Sequence, residues 1–249
     1  MDFIMEYEDQ IKKLQEYVDS EEKIVFFGGA GVSTESGVPD FRSPDGLYHQ
    51  KYKYPPEMIL SHSFYMSEKE EFFRYYFDKL LIPGIKPNKA HFKLAEMEKK
   101  GRLSSVITQN IDGLHQKAGS RHVLELHGSV NRNYCESCGK MYDASYMLSK
   151  KDEGIPKCEN CGGDIKPDVV LYEEALNENV IRKAIWEIES ADLLIIGGTS
   201  LAVYPAASFI DYFKGDHIIL INKSSTPRDD IADMIIREPI GQTLDRIRV

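Results

Sequence analysis

Four short runs constrain this chain more than any other feature: "KIVFF" (23–27), "SSVIT" (104–108), "LLIIG" (193–197) and "HIILI" (217–221). Their apolar residues follow one another instead of alternating with polar ones. A strand with one face in water alternates, so these runs predict strands buried on both faces. Between them lie stretches with helical spacing. Ile4, Tyr7, Ile11, Leu14 and Val18 share one face of residues 2–19, and Asn88 and Gly101 bracket "KAHFKLAEMEKK" as cap and stop. Further helices are expected near 178–190 and from Pro205, and "VLEL" before His127 reads as another strand. The pattern predicts an α/β fold: a doubly wound, Rossmann-like parallel sheet. With 42% hydrophobic residues among 249, the chain can bury a large core.

In such sheets ligands sit beyond the carboxyl ends of the strands. Those ends read "GGAGVS", "QNIDGLHQ", "GGTS" and "NKSS", all polar or glycine-rich. "GGAGVST" matches a dinucleotide-binding turn at Gly29 and Gly31 but has Thr34 where the third glycine belongs, and alone it is equally a tight turn. A helix starting there would turn its amides toward a phosphate. Asn222 closes the fourth run where a nicotinamide dehydrogenase would carry an acidic residue for the ribose. Asp112 can accept from an amide NH2 in a pocket, or cap a helix at "DGLHQ". His127 stands before Gly128, which would let a substrate approach the ring; a histidine pKa of about 6.5 suits it to proton transfer. His91 and His115 fall on helices and read as structural.

The four cysteines are spaced Cys135-x2-Cys138, 19 residues, Cys158-x2-Cys161, with glycine after each pair. This is the spacing of a four-thiolate zinc ribbon. Four thiolates fill a tetrahedral site and leave no position for substrate, so the reading is one structural Zn2+ that folds a charge-rich segment. The net charge of −9 and the acidic residues Glu136, Asp143, Asp152, Glu153, Glu159 and Asp164 around the ribbon argue against nucleic-acid binding. The acidic N-terminus lacks a signal-peptide layout and no apolar run is long enough for a membrane helix. A cytoplasmic protein with no membrane partner is expected.

"GAGVSTESGVPDFRSPDGLY", "TQNIDGLHQKAG", "ELHGS", the two CxxC pairs, "KPDVVLYEE" and "GTSLAVYPAA" occur in that order. Together they resemble the sirtuins, NAD-dependent protein deacylases, over most of the chain from about Lys23 to Asn222, and close to the minimal bacterial form. The resemblance implies a Rossmann-like domain from residues 1–36, 88–130 and 168–249. It also implies a smaller inserted domain, made of a cofactor-binding loop with a helical module (37–87) and a zinc-ribbon module (131–167). It implies that Ala30, Gly31 and Thr34 approach the pyrophosphate of NAD. Asp40, Phe41 and Arg42 lie on the cofactor loop, the latter two near nicotinamide. Gln109, Asn110, Ile111 and Asp112 hold the nicotinamide ribose and carboxamide, Thr199 and Ser200 the phosphate side, and Asn222 and Lys223 the adenosine ribose.

By the same resemblance His127 is the general base, with Asn110 beside it in catalysis, and Val170, Tyr172 and Glu173 meet an acetyl-lysine peptide. The implied reaction moves the acetyl group to ADP-ribose and releases nicotinamide, in a protein that is typically monomeric. Two departures stand out. The family pattern Phe-Gly-Glu is here Tyr172-Glu173-Glu174. If that glycine has positive φ, strand pairing is altered; if it is extended, Glu173 favours basic peptides. The positions where desuccinylating members carry Tyr-x-x-Arg align with Phe73 and Tyr76, with Arg74 directed elsewhere on the helix, so an uncharged acyl group is expected. Alternatives are ADP-ribosyl transfer to protein, removal of longer acyl chains, and an NAD- or ADP-ribose-binding module without turnover. A zinc-ribbon nucleic-acid protein and an ordinary dehydrogenase fit less well.

Overall fold

The computed structural model describes residues 6–43, 45–49 and 52–249; Ile4 of the first periodic stretch lies outside the described residues. Helix α1 (Tyr7–Ser20) buries Ile11, Leu14 and Val18 and feeds strand β1 (Ile24–Gly28). No helix follows the glycines. Two 3-10 turns, Ala30–Val32 and Thr34–Ser36, stand there instead. Gly37 at φ 82°, and Val38 ahead of Pro39, oppose α-helical continuation. A third 3-10 turn, Leu47–His49, precedes helices α2 (Pro56–Ile59), α3 (His62–Ser67) and α4 (Lys69–Tyr75), which runs into a π turn, Tyr76–Leu80.

Asn88 caps α5 (Lys89–Lys99) by accepting from the Ala90 amide at 2.9 Å, and Gly101 turns the chain out at φ 74°. Then come β2 (Leu103–Thr108), α6 (Leu114–Ala118), β3 (Val123–Glu125), β4 (Gly128–Cys135), β5 (Met141–Tyr142), α7 (Ala144–Ser149) and β6 (Ile165–Val169). The chain returns through α8 (Glu178–Glu189) to β7 (Leu193–Gly197). A seven-residue 3-10 segment, Ala206–Tyr212, stands where a helix was expected from Pro205; short helical pieces often adopt this tighter form. Strands β8 (His217–Ile221) and β9 (Met234–Ile236) and helix α9 (Ile240–Asp245) complete it.

Strand order in the main sheet is β3-β2-β1-β7-β8-β9, all parallel. The unalternating runs have their explanation here. Ile24, Phe26, Leu193, Ile195, Ile219 and Ile221 pack with α1, α5 and α9, while Val25, Phe27, Leu194, Ile196 and Leu220 pack with α8 and the 206–212 segment. Each strand therefore loses water on both faces. The chain winds outward from β1 to β2 and β3, then returns to β7 on the other side of β1, so the order reverses between β1 and β7. That reversal opens a crevice at their carboxyl ends.

The second sheet, β5-β4-β6, is antiparallel and carries the cysteines. Its Val130, Tyr142, Met147 and Ile165 share one core with Tyr65, Phe72, Phe73, Tyr75 and Tyr76 of the helices at 56–80. Edge-on aromatic pairs dominate it; Tyr65 and Phe72 meet at 5.0 Å and 80°. The cysteine-bearing segment therefore adds its few apolar side chains to a core supplied mostly by the helical module.

Candidate functional site

The four strand tails meet. One cleft of about 550 Å³ is lined by Gly29–Gly31 after β1, Gln109–Asp112 after β2, Gly198–Ser200 after β7 and Asn222 after β8. The loop Val38–Ser43 and the segment Val169–Glu174 supply facing residues. The glycines have a packing reason as well as a ligand reason. Gly31 N–H donates to Gly198 O at 2.7 Å, and a Cβ on Gly31 would lie 2.8 Å from Gly198 Cα. Two backbones thus touch at the switch point, and only glycine fits on either side.

Behind the β2 tail runs a buried network that the sequence left unread. Ser33, fully buried, donates its hydroxyl to Asp112 Oδ2 at 2.6 Å and accepts from Asn110 Nδ2 at 3.0 Å. Asp112 Oδ1 also accepts from the Leu114 amide at 2.9 Å, so from one residue ahead of the Gly113 N-cap it satisfies the first amide of α6 and braces the pocket at once. Burial raises its pKa, against these two bonds. Gln109 Nε2 donates to Thr199 Oγ1 at 3.0 Å, tying the β2 and β7 tails together. The only signal for Ser33 was its place in "GAGVS".

His127 Nδ1 lies 3.0 Å from Gln109 O. A carbonyl oxygen only accepts, so Nδ1 carries the proton and Nε2 keeps its lone pair. Burial lowers the His127 pKa, partly offset by that bond, so the ring is neutral at neutral pH. Gly128 also has a backbone reason: it sits at φ 76°, where a Cβ would lie 1.8 Å from Asp168 O. On the facing loop, Asp40 Oδ1 accepts from the amides of Arg42 (3.0 Å) and Ser43 (2.7 Å), and Arg42 Nη1 reaches Ser200 Oγ at 3.2 Å.

Ala30, Gly31, Asp40, Phe41, Arg42, Gln109, Asn110, Ile111, Asp112, His127, Thr199, Ser200 and Asn222 all line the one cleft, as do Val170, Tyr172 and Glu173. Thr34 and Lys223 do not. Thr34 turns its hydroxyl back to Gly31 O at 2.9 Å, and Lys223 is exposed outside the cleft lining. Asn222 commits its Nδ2 to Ser224 O at 2.8 Å, leaving Oδ1 as acceptor. Phe73 and Tyr76 are buried in the aromatic core, with Tyr76 Oη donating to Asn133 Oδ1 at 3.2 Å. The π turn that follows brings Lys79 and Leu80 to the cleft wall in their place. Arg74 points outward and pairs with Glu71.

In the segment after β6, Val170 N–H donates to His127 O at 3.0 Å, while Tyr172 donates to Leu60 O and accepts from His62 N–H, both at 2.9 Å. Glu173 adopts φ 76°, the left-handed conformation natural to glycine. Its carboxylate accepts from Ser63 N at 2.9 Å and Ser63 Oγ at 2.6 Å, which lowers its pKa and turns it toward α3 instead of toward a basic peptide. Glu174 accepts from the Leu171 amide (2.9 Å), His62 Nδ1 (2.9 Å) and Lys166 Nζ (3.2 Å).

The sulfurs of Cys135, Cys138, Cys158 and Cys161 all lie within 4.8 Å of one another. Cys135 and Cys161 are 3.4 Å apart and Cys138 and Cys158 3.6 Å, close to the roughly 3.8 Å edge of a tetrahedron with Zn–S near 2.3 Å. Gly139 at φ 71° and Gly162 at φ 74° turn the two knuckles. The set fits one structural zinc. Among the described residues, no helix is long and apolar enough to cross a membrane.

Comparison with known proteins agrees with this geometry. The Sir2 family model matches residues 29–205. The NAD-dependent protein deacetylase of Clostridium acetobutylicum is 54% identical over 241 residues, covering 96% of this chain and 98% of that protein. That of Clostridium perfringens is 56% identical over 243 residues, covering 96% and 99%. A solved Sir2 variant with deacetylated p53 peptide and 3′-O-acetyl ADP ribose has a TM-score of 0.88 at 37% identity, covering 95% of this chain and 96% of that one. By sequence along nearly its whole length, and by fold, the chain belongs to the Sir2 family.

Proposed function

We propose that this chain is an NAD-dependent protein-lysine deacetylase in which His127 is the general base. The observation that carries the reading is the neutral His127 fixed by Gln109 O, with Nε2 unpartnered among the described residues, in the cleft where all four strand tails converge. When bound, NAD would supply a ribose that parts from nicotinamide and takes the acetyl group, with one water consumed, so that lysine leaves as the free amine and the acetyl group leaves on ADP-ribose. His127 Nε2 accepts the proton of a ribose hydroxyl. Asn110, its amide NH2 held by Ser33, keeps its carbonyl oxygen free to orient a reacting group. Asp112 would accept from the nicotinamide amide, Gly31 and Thr199 would face the pyrophosphate, and Phe41 and Arg42 would cover the reacting end. Leu60, Leu80 and Ile111 form an apolar stretch of wall that suits an uncharged acyl group, while Lys79 beside them is paired with Asp78 at 3.2 Å. Cys135, Cys138, Cys158 and Cys161 hold zinc as a structural ion, consistent with a reducing cytoplasm. The acting unit is a monomer and its partner an acetylated protein or peptide.

The test is mass spectrometry of an acetyl-lysine peptide incubated with the protein, with and without NAD. Loss of the acetyl group only with NAD, accompanied by nicotinamide and O-acetyl-ADP-ribose, is the expected result. ADP-ribose attached to protein without deacetylation would shift the assignment to transfer, and a succinyl peptide consumed faster than the acetyl one would contradict the acyl reading.

A further inference from the structure

We propose that the Tyr172 hydroxyl is a positioning group for the cofactor loop, preorganising that loop for NAD; the inference rests on the NAD-dependent reading above. That hydroxyl lies 2.8 Å from the Tyr48 hydroxyl, on the other side of the site. Tyr48 is the hub of the loop it belongs to. Its amide donates to Phe41 O at 2.9 Å, and the neighbouring Leu47 amide donates to Asp40 O at 2.8 Å. Its ring meets Phe41 edge-on at 5.5 Å, and the Arg42 guanidinium lies 5.5 Å from its centroid. Tyr48 thus holds Phe41 and Arg42 directly, and its neighbour Leu47 holds Asp40.

Tyr172, in contrast, belongs to a firmly anchored segment. Both its backbone groups are bonded to Leu60 and His62, Val170 is bonded to the His127 carbonyl, and Glu173 and Glu174 fasten the next two positions to Ser63, His62 and Lys166. The hydroxyl pair therefore ties an irregular loop to an anchored post. A loop already held in one arrangement loses less conformational freedom when ligand arrives, and that difference appears as affinity. A phenylalanine would keep the ring and any contact it makes with peptide, but would release Tyr48.

Tyr172→Phe, Tyr48→Phe and the double variant separate these roles. NAD affinity is measured by calorimetric titration, alongside KM for NAD, KM for acetyl peptide and kcat. Loss of one neutral hydrogen bond predicts NAD binding about two- to tenfold weaker in each single variant. The double variant should be no weaker than the singles, and the effect in each should fall on KM for NAD more than on kcat. Unchanged NAD affinity in Tyr172→Phe, or effects that add in the double variant, would overturn the proposal. Titration needs no turnover, so a wild type that binds NAD without deacetylating would contradict the deacetylase reading and leave this test intact. A wild type that does not bind NAD overturns both.

Discussion

His91 of α5 and His115 of α6 pack together inside the core, with ring centroids 4.7 Å apart and planes tilted by 59°. Burial depresses their pKa values to about 4 and about 3, the second lowered further by its neighbour. Both are therefore neutral in the fold and titrate near 6.5 once unfolded. Below pH 6.5 the unfolded chain binds protons that the folded chain refuses, so this contribution to stability is full above that pH and is lost as pH falls toward 4. Its slope is about 1.4 kcal/mol per pH unit for each histidine in that window. Urea unfolding between pH 7.5 and 4.5 measures it; His115→Leu is expected to flatten the curve, and an unchanged slope would mean the pair is not buried neutral. At this scale the sequence was read unevenly. His127 announced itself by following a strand and preceding glycine, whereas Ser33 was an unremarked serine because its role is to face inward to Asn110 and Asp112. The conformation of Glu173 depends on a partner 110 positions away in the chain, Ser63, and local sequence carries no trace of that bond.

The zinc-bearing sheet is the element whose stability depends most on something other than its own side chains. It contributes only a few residues to the aromatic core it shares with the helices at 56–80, and Lys69 spans the two parts through Glu136 and Asp164, each at 2.8 Å. A four-thiolate zinc site contributes on the order of 10–16 kcal/mol to small modules. Chelation is therefore expected to unfold residues 128–169 and loosen the adjoining helices, while β1, β7 and β8 keep their protection. Hydrogen exchange with and without chelator reads this directly, and undiminished protection at 128–169 would contradict a structural role for the metal. The apolar runs located the central strands because burial on both faces leaves a plain mark in sequence. Elements set by tertiary context were not legible: β9 is three residues long, and the turns after β1 follow from Gly37 and Pro39 steering the chain away from a helix that phosphate-binding folds normally place there.

At the scale of the whole molecule, the site is the place where chain reversal between β1 and β7 opens a crevice and the second sheet with its helices supplies the opposite side. The strand tails could be read together from sequence because a parallel sheet must bring its carboxyl ends to one edge. On the facing side, Asp40, Phe41, Arg42, Val170, Tyr172 and Glu173 were legible through the resemblance, but the acyl wall was not, since Phe73 and Tyr76 aligned with acyl-contacting positions yet a π turn presents Lys79 and Leu80 instead. The proposed role of His127 places it in the reaction and not merely in the fold or in NAD binding. The most direct measurement is kcat/KM for acetyl-peptide deacetylation in wild type and His127→Ala, with NAD affinity determined for both. Removal of a general base predicts a fall of about 10²- to 10⁴-fold, with NAD affinity changed by only a few-fold. Deacetylation near the wild-type rate, or a loss of activity fully matched by a loss of NAD binding, would contradict it.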